Sequence, residues 1–183
     1  MHHTVFALLA IALLAGCATR PADSFAESLS ADRDVRGVVL TASEEKQAIV
    51  RFKAFFKYVT PDSVREQTRG LYAEDAFFND TLKTVRGRRA IEEYFTKTAA
   101  HVDLFQTEVV DVARSGDNYY VRWIMDVRFR GSKKTIRTIG VTQLRFDPAG
   151  RIVLHQDFWD STAGFFEHLP VLGPLIRGVK SML

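Results

Sequence analysis

One thiol, five histidines and 22 carboxylates are the main groups through which this 183-residue chain could do chemistry. Cys17 has no second cysteine to bridge to, so folding must rest on the core alone. His101, His155 and His168 stand too far apart in sequence for zinc spacing, and no metal or other cofactor is expected. Acid–base chemistry remains, and His155-Gln156-Asp157-Phe158-Trp159-Asp160 is a dense source of it.

Cys17 also closes an informative leader. The apolar run from Val5 to Ala15 is too short to span a bilayer as a helix. Its length suits the apolar region of a secretory signal peptide. Leu14-Ala15-Gly16-Cys17 resembles the lipobox of bacterial lipoproteins. That resemblance implies cleavage before Cys17, acylation of its thiol by palmitate or a similar chain, and a further acyl chain on the new amino terminus. Met1-His2-His3-Thr4 departs from the pattern by lacking Lys and Arg. An ordinary signal peptide, or a buried apolar helix with a chance cysteine, is the alternative. Ala18-Thr19 lacks the aspartate associated with inner-membrane retention, which implies the periplasmic side of the outer membrane in a Gram-negative host.

The elements that must position any site follow the leader. Residues 17–40, rich in Ala, Ser, Asp and Arg, read as a tether. Thr41-Ala42-Ser43-Glu44 is a capping-box pattern, and Ile49, Phe52, Phe56 and Val59 follow at helical spacing. Thr60-Pro61-Asp62 starts a second helix, running to about Tyr72. Phe77 to Asp80 reads as a short strand and its exit, and Gly87 precedes a third helix that buries Ile91, Tyr94 and Phe95. After Leu104, four strand-like segments are separated by Ser115–Asn118, Gly131–Lys133 and Asp147–Gly150. In the clearest of them Tyr119, Val121, Trp123, Met125, Val127 and Phe129 alternate with a basic face. Arg122, Arg128, Arg130 and Arg137 would be solvated or form a dimer surface. The plan is α+β, with three helices on one face of a curved, mostly antiparallel sheet. A net charge of +3 against 22 acids gives little support to nucleic-acid binding.

Leu71 to Asp80, Gly87, Ala90-Ile91 and Tyr94-Phe95, with Phe146 to Ile152, resemble the nuclear transport factor 2-like superfamily, which includes ketosteroid isomerases and SnoaL-type cyclases. The resemblance implies a cone over residues 41–164 with a pocket between helices and sheet. Asp80 falls where the isomerases keep a general base, and His155, Asp157 and Trp159 fall on pocket-facing positions of the last strand. Trp123, with Met125 beyond it, falls on the pocket wall, and Phe78 and Phe95 complete it. The isomerases' two oxyanion donors fall near Phe56, which cannot donate, and on Thr142, a weaker donor. Steroid isomerisation by that mechanism is not expected. Periodicity reads the last strand the other way, with Ile152, Leu154 and Phe158 towards the core.

Three functions follow. The first is a membrane-anchored domain binding an apolar or amphipathic small molecule. The second is a metal-independent isomerase, cyclase or hydrolase using Asp80 with His155 and Asp157 as acid and base. The third is an accessory protein of an envelope complex. Each candidate residue also has a structural role open to it: Asp80 as a loop cap, His155 and Asp157 as a buried polar pair. Residues 165–183 form an apolar-basic tail that either packs on the domain or touches the membrane.

Overall fold

The computed structural model describes residues 24–182; Cys17 and its leader lie outside them. Two capped helices open the expected domain. In α2 (Ala42–Lys57) the Thr41 hydroxyl accepts from the Glu44 amide and the Glu44 carboxylate accepts from the Thr41 amide, satisfying donors the first turn leaves free. In α3 (Pro61–Leu71) Thr60 caps in the same way and Pro61 occupies the first turn. The chain then enters β1 (Tyr72–Asn79), longer than the strand expected at Phe77, followed by β2 (Thr84–Arg86) and α4 (Arg88–Ala100). Gly87 caps α4 at φ +85°, in the region that favours glycine. Four strands complete the sheet: β3 (Val102–Ser115), β4 (Asn118–Phe129), β5 (Ile136–Phe146) and β6 (Ile152–Trp159).

The strand order is β2-β1-β6-β5-β4-β3, with only β1 and β6 parallel. Bulges in β3, between Val102 and Leu104 and between Val109 and Asp111, are the local kinks that bend a sheet. Helices α2 and α4 fill its concave face. Phe55 lies at the centre of their packing, its ring 4.9 Å from Phe56, 5.4 Å from Phe95 and 6.2 Å from Tyr72.

Two boundaries differ from the sequence reading. The stretch read as a tether is part of the fold from Ser24 onward: α1 (Ser24–Asp34) buries Ala31 against Phe77 and Leu154 on the sheet's other face. The buried Arg145 guanidinium fixes it, donating to the Asp32 carboxylate and to the Asp32 and Val35 carbonyls, where a cation complements the helix end. Gly37 and Leu40 continue the attachment through Asp117 and the Tyr119 hydroxyl. The tail, for its part, only partly packs on the domain. After α5 (Ser161–Gly164), Phe165 reaches the concave face beside Phe129, their ring centres 6.1 Å apart. Helix α6 (Leu172–Lys180) instead packs on the 3₁₀ turn Phe166–His168, through Arg177 to the Glu167 carbonyl and Lys180 to its carboxylate. Leu172, Leu175, Val179 and Met182 remain exposed.

Candidate functional site

The concave face encloses a cavity of about 140 Å³. Cross-strand registry builds its floor in rows. Val121, Thr142 and Asp157 stand side by side on β4, β5 and β6, and Trp123, Gly140 and Trp159 form the next row. Gly140 is required there by space. A β-carbon would lie 2.4 Å and 2.5 Å from two Trp123 ring atoms and 2.9 Å from the Trp159 β-carbon. Phe56, Phe78 and Phe95 close the helical side.

Asp80, His155 and Asp157 all line this one cavity, as do Phe56, Phe78, Phe95, Trp123, Met125, Thr142 and Trp159. The competing periodicity on β6 holds at Ile152, which is buried in the main core, and fails beyond it for a physical reason. Helix α1 covers the other face, so Leu154 is buried there while His155 is buried within the cone. Phe158, beyond that cover, is exposed.

A hydrogen-bonded chain crosses the floor. The Tyr72 hydroxyl lies 3.0 Å from His155 Nδ1, and His155 Nε2 lies 3.0 Å from Asp157 Oδ1. Thr142 Oγ1 donates to the same Asp157 oxygen at 2.5 Å and accepts from Trp123 Nε1 at 2.8 Å. Burial, reinforced by the charges of Asp157 and Asp80, pushes the Tyr72 hydroxyl well above its ordinary range, so it keeps its proton beside Nδ1. Nε2–H then donates to Asp157, which gathers both ends of the chain.

Asp80 is held separately. Its Oδ1 accepts from the amides of Leu82, at 3.0 Å, and Lys83, at 2.8 Å, its Oδ2 accepts from the Tyr94 hydroxyl, and its carbonyl accepts from Trp159 Nε1 at 2.7 Å. It therefore caps its loop and lines the cavity at once. Burial raises its carboxyl above the ordinary value; the Tyr94 bond opposes the rise, the Asp157 charge adds to it, and the two amides pull back again. Burial and Asp80 also push the Tyr94 hydroxyl up.

Sequence reasoning missed the roles of Tyr72 and Tyr94 and the contribution of Phe165. Tyr72 meets a partner 83 residues away and Tyr94 one 14 residues away, so no local spacing announces either. Of the arginines read as a basic face, Arg122 pairs with Asp111, Arg130 with Asp103 and Arg137 of β5 with Asp126.

A family model for the SnoaL-like domain matches residues 52–155. The chain belongs to this family. No curated protein matches it. Solved structures of low identity share the fold. A protein of ketosteroid isomerase-like fold from Catenulispora acidiphila, solved with trimethylamine, is 18% identical with a TM-score of 0.57, over 64% of this chain and 88% of that one. An LEH-like epoxide hydrolase of Mycobacterium tuberculosis is 16% identical with a TM-score of 0.55, over 75% and 95%. A Shewanella denitrificans protein provisionally assigned as a SnoaL-like polyketide cyclase is 20% identical with a TM-score of 0.55, over 67% and 94%. These likenesses carry the fold alone.

Proposed function

We propose that this SnoaL-like domain binds a small apolar or amphipathic molecule in its cone while held at the cell envelope by an acylated Cys17. One observation carries the binding reading. The cavity is walled by aromatic rings, and the donors beside its carboxylates are already committed to protein acceptors. Thr142 and His155 donate to Asp157, Tyr94 donates to Asp80, and Phe56 offers no donor. No donor beside the carboxylates is free to stabilise a developing oxyanion, whereas an aromatic cavity of this size suits a ligand of about one ring. The lipobox supports the envelope address, and the exposed apolar residues of α6 beside Arg177 and Lys180 suit a membrane surface.

Native mass spectrometry of the full chain, extracted in detergent, tests the binding reading. One small molecule retained per chain, and lost in Val127→Trp, supports it. A chain that arrives empty and takes up no single-ring probe such as toluene overturns it.

The elevated Asp80 carboxyl favours a second reading, proton transfer at a carbon beside a carbonyl, with Asp80 as base. Deuterium incorporation into cyclohexanone, followed by NMR, measures it. Under this reading Asp80→Asn lowers the protein-catalysed rate by about 10²–10⁴-fold. A rate equal to buffer, or unchanged in the variant, removes it.

A further inference from the structure

We infer that the cavity selects a small tertiary or quaternary ammonium cation; this rests on the binding reading above and names the ligand's charge. Ten of the side chains lining the cavity are Phe, Tyr or Trp, and no Lys or Arg is among the lining residues. The acidic groups there are the Asp80 and Asp157 carboxylates. Both ring nitrogens of His155 are engaged, one by Tyr72 and one by Asp157.

The direction of every hydrogen bond sharpens this. Amides of Leu82 and Lys83, the hydroxyls of Tyr94 and Thr142, and His155 Nε2 all point at carboxylate oxygens. Such donors favour the charged form of a carboxylate taken out of water, at Asp80 against the burial that raises its carboxyl. They are thereby withdrawn from any guest. Toward the interior the wall presents negative charge and the electron-rich faces of aromatic rings, both of which attract a cation and repel an anion. Alkylated ammonium groups also suit such a wall sterically. Their methyl groups pack against rings without needing hydrogen-bond acceptors, whereas a bare ammonium would demand several. Across the floor, the Thr107 hydroxyl on β3 lines the cavity without a protein hydrogen bond among the described residues, and can receive one polar group of the guest.

Three isosteric probes separate charge from shape. Choline, 3,3-dimethyl-1-butanol and 3,3-dimethylbutanoate share a head of three methyl groups on one central atom and differ in charge. In calorimetric titrations of the full chain, choline is expected to bind at least tenfold tighter than the alcohol, with no binding of the carboxylate. Asp157→Asn should lower choline affinity and leave the alcohol's unchanged. The comparison on the unaltered protein stands even if the variant folds poorly. Alcohol binding as tight as choline overturns the charge inference and leaves the cavity reading intact. Failure of all three probes overturns both.

Discussion

Asp80 is pulled in two directions by the groups around it. The amides of Leu82 and Lys83 and the Tyr94 hydroxyl favour its charged form, while burial and the Asp157 charge oppose that form more strongly. Because its folded-state pKa is raised, the native state binds this proton more tightly than the unfolded chain does. The resulting stabilisation is complete below the ordinary value of 3.8 and is lost as pH rises through the raised value. Asp80→Asn is neutral throughout, so its urea midpoint should exceed that of the unaltered protein above this window and converge with it below. A midpoint lower at pH 8 would refute this account. Asp80 was legible in the sequence as a pocket residue through the family resemblance. Its clamp was not, because Tyr94 reaches that loop from helix α4.

Among the elements, the capped starts of α2 and α3 and the alternation of β4 could be read directly, since each depends on neighbours within a few residues. Helix α1 could not. It buries only Ala31 among its described side chains, too little to imprint a periodicity, and its main tie is to Arg145, 113 residues away from Asp32. Two substitutions test the packing. Phe55→Ala removes the ring joining α2, α4 and β1 and should cost about 3–5 kcal/mol in urea unfolding. Gly140→Ala places a methyl group against the Trp123 ring and should cost about 1–3 kcal/mol. It should also break the Trp123–Thr142 bond, seen as a shifted indole N–H resonance. A stability equal to that of the unaltered protein in either case would mean the interior is looser than these distances imply.

The molecule as a whole is a cone with one appended helix. Since α6 rests on the Phe166–His168 turn, truncation after Pro170 should change stability by less than about 0.5 kcal/mol. Unfolding on truncation would show that the tail secures the core. The anchor is a separate proposal: Cys17→Ala should abolish radioactive palmitate labelling, and persistent labelling would sink it. Labelling is informative because Cys17 is the only cysteine, so no other thiol can carry the lipid.

The chain has two tryptophans, and both stand in the wall of the cavity. One indole is bonded to Thr142 beside Asp157, the other to the backbone of Asp80. Tryptophan fluorescence of the unlabelled protein therefore originates entirely at the site. A guest entering the cone, a proton leaving Asp80 or water filling the cavity would each change the emission, with no tryptophan background from the rest of the fold. The protein carries its own optical reporter, set in the wall that a ligand would touch.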